Sequence, residues 1–328
     1  MEQRSVGRSG LKVSRLGLGT MEWGRTVDEH ESRDQLKAFL DAGGTFLDTA
    51  AAYGAGESER TIGALLASMV DRDELVLATK AGISRRTGEP VVDTSRRALL
   101  DALDASLARL GTDRVDLWQV HTWSDAVPLD ETLGALESAV GAGKARYVGI
   151  SNYSGWQTAR AVTCQETASK RVPIISTQVE YNLLERGVER EVLPCAVSLG
   201  LGVLSWSPLA AGVLTGKYRT GTPADSRAAS DFGTFLERYL DDRSRHIVDA
   251  VVTAAQGLDR APAEVALAWA RDAPTVTAAV VGARTTAQLH VALTADSLHL
   301  PVEIRGALDD VSAPARGYPE VSGSSSNR

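Results

Sequence analysis

Residues 96–121 read RRALLDALDASLARLGTDRVDLWQVH. Leu99, Leu100, Leu103, Leu107 and Leu110 recur at helical spacing, which lays them along one side of a helix over 96–110. Gly111 follows where a left-handed C-cap would end it. After a short polar link comes VDLWQVH (115–121), a strand-like apolar run that stops on a histidine. Seven other short apolar runs fit the same strand pattern: 14–20, 45–50, 75–80, 146–151, 174–180, 202–208 and 278–284. Helical patterns separate them, one marked by Leu133, Leu136 and Val140. Strands alternating with helices imply parallel βαβ units, and eight of them imply a closed (β/α)8 TIM barrel of the α/β class. An open dinucleotide-binding sheet is the rival. The glycines at 17 and 19 offer only part of its fingerprint, without the third glycine.

The rest of the chain fits around this barrel as one domain over 1–328. SVGRSGLKVSRL (5–16) reads as a β-hairpin ahead of the barrel, turning at Arg8-Ser9-Gly10. An extended loop after strand 7, about 218–243, is rich in Arg, Gly and Asp, and loops of that length are usually functional. The tail at 315–328 is rich in Ser, Gly and Pro and is expected to be flexible.

Net charge −7 and pI near 5.4 argue against a general nucleic-acid or anionic-membrane binder. No apolar run is long enough to span a bilayer, and the first ten residues lack a secretory h-region. Cys164 and Cys195 are the only cysteines, which suits a reducing cytoplasm. The NYS sequon at 152–154 is therefore discounted. The five histidines (30, 121, 246, 290 and 299) show no metal-ligand spacing, so no metal is assigned. High Ala, Arg, Leu, Val and Gly usage with few lysines points to a GC-rich bacterial genome. A homo-oligomer is compatible with all of this.

Polar residues stand at the carboxyl ends of the runs: Asp48, Lys80, His121, Ser151 with Asn152, Gln178, Trp206 with Ser207, and Arg284. In a barrel these ends converge on the face that carries active sites. Taken singly, each has an ordinary explanation as a cap or a solvated charge; seven strand ends together do not. Beside them, FLDTAAAYGAGESE (46–59) places Tyr53 five residues after Asp48 among residues too small to fill space. A phenol with a pKa near ~10 is a poor proton donor-acceptor at neutral pH. A neighbouring ammonium such as Lys80 is expected to lower that pKa, and a carboxylate such as Asp48 would hold the lysine. His121 adds a donor for a carbonyl oxygen.

These motifs resemble the aldo-keto reductases over nearly the whole chain, particularly the bacterial branch similar to potassium-channel β-subunits. The matching stretches are LGLGTMEWG, FLDTAAAYGAGESE, LATKAG, DLWQVH, VGISNYS, TQVEYNLLER, LSWSPLAAGVLTGKY and VVGARTTAQL. The resemblance implies NADPH-dependent reduction of a ketone or aldehyde, with Asp48, Tyr53, Lys80 and His121 as the catalytic tetrad and Tyr53 as general acid. It places Thr20 and Met21 at the nicotinamide end. Ser151, Asn152 and Gln178 would bond its carboxamide, and Trp206 would stack on the ring. Ser207, Leu209, Ala211, Gly212, Lys217 and Arg227 fall along the pyrophosphate, and Gly282, Arg284 and Gln288 around the adenosine 2′-phosphate. There Thr285 would cap a helix whose N-terminus favours an anion. Val291 and Ala292 stand where the family often carries a Glu-Asn clasp for adenine. Trp23 and Trp123 are expected to wall the substrate pocket, which suits an apolar or cyclic carbonyl compound, for example a secondary-metabolite ketone or keto sugar. A non-catalytic NADPH-sensing regulatory subunit, similar to the channel β-subunits, is the competing function. Those subunits carry Asn where this chain has His121.

Overall fold

The structure, a computed structural model, describes residues 1–87, 89–167, 172–219, 221, 233–315 and 317–318. A hairpin of β1 (Gln3–Ser5) and β2 (Lys12–Ser14) comes first. Eight parallel strands follow: β3 (Leu16–Gly19), β4 (Phe46–Asp48), β5 (Val76–Ala81), and then, after a two-stranded excursion of β6 (Ile83–Thr87) and β7 (Glu89–Val92), β8 (Val115–Val120), β9 (Ala145–Ser151), β10 (Ile174–Glu180), β11 (Gly202–Trp206) and β12 (Val276–Val281). They close into a barrel in chain order, β12 pairing with β3 through Ala279–Leu16, Val280–Gly17 and Val281–Leu18. The eight runs read from the sequence are these eight strands. Among the described strands, the β6–β7 ribbon alone has no counterpart in the hairpin or in those runs.

The helices around the barrel include α1 (Glu29–Asp41), α2 (Glu57–Ser68), α3 (Arg96–Leu110), α4 (Leu129–Gly141), α5 (Gly155–Thr167) and α6 (Val192–Leu199). The remainder are α7 (Gly233–Glu237), α8 (Asp242–Gly257), α9 (Pro262–Arg271), α10 (Thr286–Thr294) and α11 (Val302–Val311). In α3, Leu99, Leu103, Leu107 and Leu110 are buried while Leu100 is only partly so. Ser95 caps its start and left-handed Gly111 its end.

Inside the barrel, side chains alternate in and out with the period of a strand. Phe46, Ala78, Leu117, Leu204 and Ala278 form an apolar cluster inside it with the hairpin residues Val6 and Val13, and Val280 of the same cluster reaches the cavity above. Gly7 lets the hairpin approach: at φ +57° it lies so close to the barrel floor that a Cβ would meet the Gly200 carbonyl oxygen at 2.4 Å. An apolar plug below leaves only the upper half of the barrel open for chemistry. Among the described residues no helix is long and apolar enough to cross a membrane.

Candidate active site

The register of the strands sets the site. Asp48 pairs with Ala78, so Lys80, two residues on, points inward just above it, and Lys80 pairs in turn with Gln119. His121 extends β8, its amide donating to the Ala81 carbonyl at 2.8 Å. The chain beyond β4 stays attached to β5 through Thr49 N to Ala78 O (2.9 Å) and Ala51 N to Lys80 O (3.0 Å). It then turns through three successive left-handed residues, Gly54, Ala55 and Gly56, into α2. Ala55 adopts this region at a cost of roughly 1–2 kcal/mol, and the turn holds Tyr53 over the barrel. Ser58 at the start of α2 braces it, donating to the Thr20 carbonyl at 2.8 Å and lying 3.0 Å from Thr49 Oγ1.

The structure therefore brings Asp48, Tyr53, Lys80 and His121 together. Lys80 Nζ donates to Asp48 Oδ2 at 2.6 Å, to the Thr49 carbonyl at 2.9 Å and to the Tyr53 hydroxyl at 3.3 Å. Its side chain is 1% exposed. The His121 ring meets Tyr53 edge-on, centroids 6.0 Å apart. Burial works against the Lys80 ammonium, yet Asp48 and Tyr53 outweigh it and its pKa rises. For Tyr53, burial is the largest influence and raises the phenol. Lys80 pulls it down, Asp48 pushes it up, and the net direction is upward. The expectation of a lowered phenol is corrected on this point: Lys80 acts in the expected direction, but sealing the hydroxyl in the barrel matters more.

A cavity of about 770 Å³ runs from this cluster across the barrel mouth to the start of α10. Asp48, Tyr53 and His121 line one end, with Lys80 beneath. Thr20, Met21, Ser151, Asn152, Gln178 and Trp206 follow. Beyond them come Ser207, Leu209, Ala211, Gly212 and Lys217, and at the far end Gly282, Arg284, Gln288, Val291 and Ala292. Left-handed backbone at Ser207, Ala210, Ala211 and Gly212 shapes the middle wall, and a Cβ on Gly212 would sit 3.0 Å from Lys217 Nζ. Arg227 lies outside the described residues.

Two of these side chains have partners that the sequence did not indicate. Gln178 Nε2 donates to Asp48 Oδ1 at 2.9 Å, so the amide expected to meet a ligand also steadies the buried carboxylate. Asn152 donates to the His121 carbonyl at 2.9 Å and accepts from Trp206 Nε1 at 3.0 Å. That bridge fixes the indole at the cavity wall and the strand end that carries the histidine.

The expected aromatic pocket walls are corrected. Trp23 is fully buried below the rim, its indole N–H donating to Gln35 Oε1 of α1 at 2.9 Å. Trp123 packs edge-on against Tyr153 and Trp156, centroids 5.2 and 5.4 Å away, and donates to Asp125. Neither lines the cavity. Glu22, Arg25 and Ile83 do, residues that the sequence pattern does not single out as pocket walls. Their only signal was position: Glu22 and Arg25 lie in the MEWGR stretch just after a barrel strand.

Residues 15–312 match the profile of the Aldo/keto reductase family. The chain is 38% identical to an uncharacterized oxidoreductase, YrpG, of Bacillus subtilis, over 95% of this chain and 96% of that one. It is 35% identical to L-glyceraldehyde 3-phosphate reductase of Escherichia coli K12, over 88% and 86%. It is also 35% identical to a probable voltage-gated potassium channel subunit beta of rice, over 86% and 87%. A closed eight-stranded barrel, a match across almost its whole length and oxidoreductases among its relatives lead to one assignment: the chain belongs to the aldo/keto reductase family.

Proposed function

We propose that the protein is an NADPH-dependent carbonyl reductase, converting a ketone or aldehyde to its alcohol. The observation that carries this is the Asp48–Lys80–Tyr53 chain of hydrogen bonds opening, with His121, into an elongated cavity. A dinucleotide fits the donor set. Trp206 offers a flat face near the tetrad, the left-handed turn with Lys217 offers amides and a cation in the middle, and Arg284 offers a cation at the far end. When bound, the nicotinamide supplies the hydride. The protein's own part is to hold the carbonyl oxygen and deliver a proton to it. A phenol whose pKa is pushed upward keeps its proton at neutral pH, so Tyr53 stands ready as the donor. Lys80 concentrates positive charge next to the hydroxyl, which stabilises the phenolate left after the proton has gone. Asp48 fixes Lys80, and His121 offers a second donor to the oxygen on which negative charge develops.

Trp23 and Trp123 lie off the cavity, whose lining includes Met21, Glu22, Arg25, Tyr53, Ile83 and His121; we assign these six to the substrate end. That mixture favours a carbonyl compound with a polar or anionic group within reach of Arg25 over a purely apolar ketone. Mixing the protein with NADPH and a panel of neutral and anionic aldehydes and ketones, followed by loss of NADPH absorbance, tests the reading. No turnover on any of them, with intact cofactor binding, would favour the regulatory-subunit alternative.

A further inference from the structure

The N-terminus of α10 already holds an anion of the protein's own. Glu31, on α1, accepts the Thr286 hydroxyl at 2.6 Å and also the Thr286 backbone N–H, the first amide of that helix. Glu31 belongs to a connected set: Gln35 Nε2 lies 3.4 Å from the same Glu31 oxygen, and Gln35 Oε1 receives the Trp23 indole N–H at 2.9 Å. Its pKa is lowered, chiefly by the Thr286 hydroxyl, so the carboxylate is ionised at neutral pH. Arg284 and Gln288 flank this point and line the far end of the cavity, and Gln288 Oε1 accepts the Arg284 backbone N–H at 3.1 Å.

A helix N-terminus stabilises an anion with about half a positive charge concentrated in its first turn. Here Glu31 of α1 has taken the amide of Thr286, which lies two residues along the chain from Arg284, and has brought a full negative charge to it. A second anion arriving beside Arg284 meets that charge. We infer that Glu31 is a specificity-determining residue that holds down the affinity for a 2′-phosphate and so narrows the margin by which NADPH is preferred over NADH. The inference rests on the proposed dinucleotide function. Trp23 and Gln35 are positioning residues that keep Glu31 on α10. Arg284 favours the phosphate and Glu31 opposes it; a dinucleotide with a plain 2′-hydroxyl is indifferent to both.

Fluorescence titration of NADPH and NADH into the wild type, Glu31→Gln and Glu31→Ala tests this without any turnover. Gln keeps an acceptor for Thr286 while removing the charge. Ala removes both and guards against a misplaced amide. Both variants should tighten NADPH roughly fivefold relative to NADH, the order expected for removing one partly screened charge near a phosphate. The gain should shrink at high salt. An NADPH-to-NADH ratio unchanged from wild type in both variants overturns the inference alone. Binding of neither dinucleotide by the wild type overturns the proposed function and this inference with it.

Discussion

Lys80 Nζ lies 2.6 Å from Asp48 Oδ2, with both side chains sealed under Tyr53. A buried ion pair earns its keep only while both partners are present, since either charge alone would face desolvation without compensation. Asp48 is held on its other side by Gln178, and Lys80 by the Thr49 carbonyl, so the pair sits in a fully bonded pocket.

Removing one charge should therefore destabilise the fold as well as the chemistry. Asp48→Asn or Lys80→Met alone should cost about 3–5 kcal/mol of unfolding free energy, and the double variant should cost clearly less than the sum. Urea unfolding of the four proteins checks this. Strict additivity would mean that the pair is not coupled.

The upward shift of Tyr53 fixes the sign of a pH effect. The folded chain holds the phenolic proton more tightly than the unfolded chain, so this contribution to stability is full below the unfolded value. It is lost as the pH rises through the folded one. The donor also stays protonated across the neutral range. Carbonyl reduction should accordingly show no loss attributable to Tyr53 between about pH 6 and pH 9. A fall in kcat with a midpoint near neutrality that disappears on changing Lys80 would show instead that Lys80 lowers the phenol.

Arg25 lines the cavity and meets the carboxylate of Glu22 at 3.2 Å; the proposed function places it within reach of an anionic group on the substrate. Arg25→Leu should raise KM for anionic carbonyl compounds about tenfold, the order of one hydrogen bond to a charged group, and leave neutral ones nearly unchanged. Equal losses on both classes would remove Arg25 from substrate selection.

The barrel, its hairpin and the convergence of Asp48, Lys80 and His121 beside Tyr53 are legible because each has a local signature: alternating runs, a turn, and polar residues at strand ends. What could not be read was which way a side chain turns when its partner is distant in sequence. Trp23 looks like a pocket wall until Gln35 of α1 takes its indole N–H, and Trp123 until Tyr153 and Trp156 close around it. Gln178 finds Asp48 across 130 residues. The upward shift of the Tyr53 phenol is hidden from the sequence for a related reason: a neighbouring ammonium is visible in a motif, but the depth of burial that outweighs it exists only once the barrel is closed.

Trp206 lines the cavity with its indole N–H fixed by Asn152. Trp206→Ala should weaken NADPH binding by about 1 kcal/mol through lost stacking, and should reduce the quench of tryptophan fluorescence on binding. An unchanged quench would place the responsible tryptophan elsewhere.

The central claim is that the Tyr53 hydroxyl delivers the proton to the carbonyl oxygen. Tyr53→Phe removes one oxygen and leaves the ring against His121 and the lysine beneath it. Measuring kcat for carbonyl reduction alongside the NADPH Kd, in wild type and variant, separates chemistry from binding. The account predicts a kcat lower by at least about a hundredfold, the usual scale of general acid catalysis, with the Kd for NADPH nearly unchanged. A variant that keeps more than about a tenth of the wild-type kcat would contradict it.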